Sequence, residues 1–202
     1  MNEDKFSGTA QRMILAELNR IDTTRLSVKE LIRFYDTTKP TMAKALSELE
    51  DAGLITRQFG VGEHRRDKYV RWTLHGRVLW NAARPMMSSP VTMVCYAESV
   101  EANPDFVNAG ESLLHELLPE YDTRARPCYA YKAASDKNNL SRISKCPMKK
   151  SKCRIEFWRF PPIFEGRNSI DNLSLFLALE SAHDPKTRDF REKLLDTFPW
   201  EG

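Results

Sequence analysis

The chain has 202 residues, with 31 Lys+Arg against 28 Asp+Glu and a formal net charge of +3. That length holds one large or two small domains, each able to bury a core. No run of eighteen apolar residues occurs and the start Met1-Asn2-Glu3-Asp4 is acidic, so neither a membrane span nor a secretory signal is expected, and a cytoplasmic protein is.

The charge is unevenly placed. Residues 1 to 85 hold 15 basic and 11 acidic side chains, whereas residues 86 to 202 hold 16 and 17. The basic bias of the first half is small, and its direction suits a polyanionic partner. Four cysteines, Cys95, Cys128, Cys146 and Cys153, are too few and too irregularly spaced for a disulfide framework, and a reducing compartment keeps them as thiols.

Ser27-Val28-Lys29-Glu30 has the form of a capping box and predicts a helix start. Val28, Leu31, Ile32 and Tyr35 then recur at helical spacing, and the helix ends near Asp36. Thr37 or Thr38 caps a second helix with Pro40 in its first turn, running to about Ala52 before Gly53. Its apolar stripe is Met42, Ala45, Leu46, Leu49 and Ala52, which turns Lys39, Thr41, Lys44 and Ser47 outward.

Two helices joined by so short a turn make a helix-turn-helix, the second helix being the one a major groove admits. Leu54 to Phe59 and Lys68 to Leu74 read as antiparallel strands around Gly60-Val61-Gly62-Glu63-His64-Arg65-Arg66-Asp67, a basic loop with two glycines to permit a tight hairpin. Arginines at such a tip are drawn to the negative potential of a minor groove. The expected partner is therefore double-stranded DNA. The candidate contacts are Thr38, Lys39, Thr41, Lys44 and Ser47 on the helix with His64, Arg65, Arg66 and Lys68 on the hairpin. Thr38 and the helix N-terminus are expected to hold phosphate.

The stretch TKPTMAKALSELEDAGLITR followed by HRRDKYVRWTLHGRVLW resembles the winged helix of the MarR family of bacterial transcription regulators, over roughly residues 9 to 85. Leu49-Glu50 and Gly53-Leu54-Ile55 match the family pattern, Arg66 takes the place of the wing arginine, and Trp72-Thr73-Leu74-His75-Gly76 matches the last element loosely. His64 stands where the family has the Asp that helps hold that arginine, and Asp67 is the candidate substitute. The resemblance implies a DNA-binding regulator, a repressor or autoregulator, acting as a homodimer on two half-sites about 34 Å apart.

Ala83 to Pro90 breaks the helix begun after Thr73 and divides the chain into a winged helix-turn-helix domain, 1–85, and a second domain, 90–202. In the second, Val91 to Tyr96, Pro127 to Tyr131 and Arg154 to Phe160 read as strands; Gly110 to Leu118, Asp171 to Glu180 and a helix capped by Asp184 and opened by Pro185 read as helical. The fold class is therefore α+β, a winged helix-turn-helix followed by a small α/β domain. That domain is similar to those of winged-helix proteins related to abortive-infection antitoxins in AGESLLHELL, RPCYAYKA, IEFWRFPP and DNLSLFLALESAHDPKTRDFREKLL. This resemblance implies a protein partner, and an antitoxin or interaction protein is the alternative function.

No enzyme is expected, because no acid, base, nucleophile or phosphate loop is matched. Ser112 and His115 lie three residues apart without the elbow a nucleophile needs. Cys146 and Cys153, with Cys128 or His183, are spaced too widely for an ordinary zinc site, so no metal and no cofactor is expected. Ser141 to Arg159 carries seven basic residues and one acidic one, the pattern of a solvated loop or of a surface for phosphates or an acidic partner. Tyr96, Tyr129, Tyr131, Phe157 and Trp158 are expected to pack a core.

Overall fold

The computed structural model describes residues 5–61, 65–99, 106–118, 120–121, 126–131, 145–163, 168–181 and 184–200. They fall into two compact units, one drawn from Met1–Ser88 and Pro199–Gly202, the other from Ser89–Phe198. No helix among the described residues is long and apolar enough to cross a membrane.

The first unit contains α1 (Gly8–Leu18), α2 (Val28–Phe34), α3 (Lys39–Asp51), the antiparallel strands β1 (Ile55–Phe59) and β2 (Lys68–Trp72), and α4 (Gly76–Ala83). The local chemistry of the chain sets the ends. Ser27 accepts from the Glu30 N–H while the Glu30 carboxylate accepts from the Ser27 N–H, a complete capping box. At the far end of α3, Gly53 at φ +69° lets its own N–H reach the Glu50 carbonyl and the Leu54 N–H reach that of Leu49. This is a Schellman stop, and it buries Leu54 beside Leu49. Asp36 closes α2 the same way at φ +46°.

The core gathers Ile14 and Leu15 of α1, Leu31 of α2, Met42, Leu46 and Leu49 of α3, and Leu79 and Trp80 of α4. Two polar ties fix α1 to the helix-turn-helix. The Glu48 carboxylate accepts from the Ser7 N–H at 2.8 Å, and the Arg12 guanidinium donates to the Tyr35 carbonyl at 2.7 Å. Beside β2, Ser27 pairs with Tyr69, so the segment entering α2 is joined to the edge of the hairpin by one antiparallel bridge.

Pro199 and Trp200, read from the sequence as part of the second domain, belong to this unit. The Trp200 ring lies 6.1 Å from that of Trp80 and under the Arg77 guanidinium, and the Pro199 carbonyl accepts from Arg20. Gly76 permits this approach. It has φ +52°, and a Cβ there would come 2.7 Å from the Trp200 carbonyl oxygen.

The second unit contains β3 (Val91–Ala97), β4 (Phe106–Asn108), α5 (Gly110–Leu117), β5 (Cys128–Tyr131), β6 (Cys153–Trp158), α6 (Asn172–Ala178) and α7 (Pro185–Thr197). Its sheet runs β3-β6-β5-β4, with β5 and β6 parallel and the outer pairs antiparallel. The three-residue strand β4 is not foreseen from the sequence, since too few residues alternate to show a period. The predicted strand through Phe160 stops at Trp158, and the predicted helix through Glu180 tightens into a 3₁₀ turn at Leu179–Ser181. One sheet face carries Ala97, Tyr131, Cys153 and Ile155 with Cys95, Phe106, Tyr129 and Phe157 packed against them.

The pleat puts Cys128, Glu156 and Trp158 on the opposite face. Glu156 is only 1% exposed there. Its carboxyl accepts from the Trp158 indole at 3.2 Å and from the Cys128 thiol at 3.5 Å, and it lies 3.2 Å from the Arg154 guanidinium. Burial pushes this carboxyl above the ordinary carboxylate range although Arg154 pulls it down, and burial pushes the Cys128 thiol up as well.

Two predictions follow from these packings. A folded-state pKa above the unfolded value of about 4.3 means that Glu156 contributes most to stability below that pH. The contribution is lost as pH rises through the elevated folded pKa. Glu156→Gln should therefore melt later than the wild type at neutral and alkaline pH, by on the order of 1 kcal/mol, with the difference shrinking toward pH 4. Thermal melts across that range check it, and a pH-independent difference contradicts it. Gly76→Ala should destabilise the first unit by roughly 1–3 kcal/mol through the strained φ and the clash at Trp200, readable in urea titrations.

Candidate nucleic-acid interface

Helix α3 is held by one side and open on the other. Met42, Ala45, Leu46 and Leu49 are buried and Ala52 is half-buried, while Lys39, Thr41, Lys44 and Ser47 are exposed. The structure thus brings the predicted helix residues onto one accessible surface, and it shows what each already touches. Thr38 caps the helix, accepting from the Thr41 N–H, and its hydroxyl meets the Thr41 hydroxyl at 2.8 Å. Lys44 lies 3.8 Å from Glu48, and the Ser47 hydroxyl donates to Asp51 at 3.3 Å.

The first turn therefore offers an anion less than a free helix end would. The Thr41 N–H is taken by the cap and Pro40 has none, which leaves the N–H and the ammonium of Lys39.

The hairpin supplies the second element. Gly60 N–H donates to the Asp67 carbonyl and closes it. Arg65, Arg66 and Lys68 are exposed, and neither arginine is ion-paired with another described residue. Asp67 is thus not the salt-bridge substitute for the family aspartate. His64 lies outside the described residues. The Lys68 ammonium sits 5.4 Å over the ring of Phe59, which is itself 67% exposed at the end of β1.

Between α2, α3 and the hairpin lies a cavity of about 430 Å³, lined by Val28, Ile32, Ala43 and Leu46 and by four cations, Lys29, Lys39, Arg57 and Lys68. It explains why Val28 and Ile32 are only half-buried although they continue the apolar stripe of α2. Arg57 is paired with Glu50, and that hydrogen bond holds the Glu50 carboxyl below its usual range. Lys29 and Arg57 were not singled out from the sequence. The signal for Arg57 is the two-residue period, which puts it with Phe59 and, across the hairpin, with Lys68 and Val70 on one face.

A capped helix-turn-helix followed by a hairpin bearing basic residues is the arrangement of a winged helix. Residues 6–67 match the family model described as MarR family. Residues 6–67 are a MarR-type winged helix-turn-helix. Members of the MarR family are DNA-binding transcription regulators that typically form dimers. The match stops at residue 67 and does not reach the second unit. No curated protein and no solved structure matches the chain.

Away from the MarR-type domain, the other candidates are occupied with structure. The Ser112 hydroxyl donates to the Ala109 carbonyl and accepts from the Cys128 N–H, while His115 Nδ1 lies 2.6 Å from the Tyr121 carbonyl, so the two side chains form no dyad. Within the first unit, His75 pairs with Glu17 at 2.9 Å. Cys128 and Cys153 lie on opposite sheet faces, and no group of three metal-ligating side chains gathers among the described residues; His183 is outside them. Of the strand aromatics, Tyr131 and Trp158 are buried, on opposite faces.

Thr38 is the hinge of the helix surface, because it caps α3 and restrains the Thr41 hydroxyl together. Thr38→Ala should cost the first unit about 1 kcal/mol and Thr38→Ser much less. Chemical denaturation of the three proteins checks the order.

Proposed function

We propose that this protein is a sequence-specific double-stranded DNA-binding transcription regulator, acting as a repressor or autoregulator. The observation that carries the reading is the exposed cationic side of α3, held beside an exposed basic hairpin in a MarR-type domain. In this reading α3 enters the major groove with Lys39, Thr41, Lys44 and Ser47 toward the bases and phosphates. Arg65 and Arg66 occupy the adjacent minor groove, where they sense width and potential more than sequence, and Lys68 meets the phosphate backbone.

The intramolecular partners of the helix residues fit this mechanism. The Lys44–Glu48 and Ser47–Asp51 contacts are exposed and individually weak, so exchanging them for DNA groups costs little. Thr41 stays oriented by Thr38 and presents its methyl and hydroxyl in a restricted geometry, which favours discrimination between bases over bulk affinity. A homodimer in the manner of the family would set two such helices about 34 Å apart on a two-fold operator.

Arg66→Ala should weaken binding to all duplexes alike and lower the slope of log affinity against log salt by roughly one. Thr41→Val should instead change which bases are preferred while leaving the slope unchanged. Fluorescence anisotropy on a panel of duplexes at several salt concentrations separates the two. Equal slopes for wild type and Arg66→Ala would refute the wing assignment.

A further inference from the structure

The second unit carries a cationic feature that the winged helix does not account for. Residues 145–153 are clipped onto the end of β3. Lys145 bridges to Ala97, the Cys146 N–H donates to the Tyr96 carbonyl at 3.0 Å, and the Lys152 N–H donates to that of Ala97 at 2.9 Å. Within the clip a 3₁₀ turn spans Met148–Lys150, closed by the Lys150 N–H on the Pro147 carbonyl and by the Ser151 hydroxyl on the Met148 carbonyl at 2.7 Å. Ser151 and Cys153 are buried beneath it. The backbone is thus fixed at both ends and in its middle.

This fixed loop presents Lys145, Lys149, Lys150 and Lys152, all exposed and none ion-paired with another described residue. By contrast Arg154, Arg191 and Lys193 of the same unit each pair with a carboxylate. From Lys145 to Arg154 the chain has five cations and no acid, while the rest of residues 86 to 202 has eleven basic side chains against seventeen acidic. A merely solvated surface mixes both signs. Here one sign is concentrated on a rigid support within an otherwise acidic half.

We propose that the Lys145–Lys152 loop is a second, sequence-independent contact for the DNA phosphate backbone, an inference that rests on the DNA-binding reading above. The side chains favour this partner over an acidic protein. Lysines act as point charges toward phosphates, and the loop lacks the arginine and aromatic anchors on which protein interfaces depend. Because its backbone is already ordered, binding immobilises only the lysine side chains.

The test uses the full chain and a random-sequence duplex of about 60 base pairs, with affinity measured across a range of salt. Each phosphate neutralised contributes about 0.9 to the slope. Lys145→Gln/Lys149→Gln/Lys150→Gln/Lys152→Gln should lower the slope by roughly 2–4, and Lys149→Gln/Lys150→Gln by about half as much. The preference for operator over random DNA should be unchanged in both. Wild-type slopes in these variants, alongside a lowered slope in Arg66→Ala, would overturn the loop contact and leave the winged-helix reading standing. No DNA binding by the wild type would overturn both. Competition by poly-glutamate that equals DNA at matched charge, and disappears in the loop variants, would overturn the proposal in favour of an acidic protein partner.

Discussion

A helix can offer its side chains to a groove only if its other side is anchored, and in α3 the anchor is the stripe of Met42, Ala45, Leu46 and Leu49, none more than 2% exposed. Everything the first unit can present depends on that stripe. It sets the rotation of the helix, and the Schellman stop at Gly53 then fixes where the chain turns into β1. The hairpin begins from that turn, so the positions of Arg57, Arg65, Arg66 and Lys68 are inherited from the packing of α3. Glu48 adds a polar tie, since one carboxylate both accepts from the Ser7 N–H at the start of α1 and faces Lys44.

The electrostatics of the surface follow from the same geometry. Four cations converge on a cavity whose other walls are apolar, and one of them, Arg57, is neutralised by Glu50. The remaining charges face water, where salt screens them and single ion pairs are worth little. Such a surface acquires strength only against a partner with many regularly spaced charges. This is why a modest net charge of +3 is compatible with a nucleic-acid interface, provided the charge is placed.

What could be read from the sequence is what local chemistry controls. The capping box at Ser27, the Thr38 cap with Pro40 behind it, Gly53 and the periodic stripes each act within one turn of chain, so they disclose α2 and α3 to within a residue or two. The α+β class follows from the same signals. What could not be read depends on partners distant in the chain. Nothing near Trp200 announces that it meets Trp80 and Gly76, and nothing near Glu156 announces a buried carboxyl between Cys128, Arg154 and Trp158. The exposure of Lys39, Thr41, Lys44 and Ser47 was legible; that Thr41 is tied to Thr38 and Ser47 to Asp51 was not, because those bonds depend on rotamers. Lys29 and Arg57 join the surface only when the hairpin folds back toward α2.

The most direct test of the central claim is a titration of the wild-type protein against the DNA upstream of its own gene and against a scrambled duplex of equal length, at two salt concentrations. A sequence-specific regulator should bind both more weakly at the higher salt but keep its preference for its own upstream DNA. Binding that is absent, or that vanishes equally for both duplexes as salt rises, would contradict the account and assign the exposed side of α3 to some other partner.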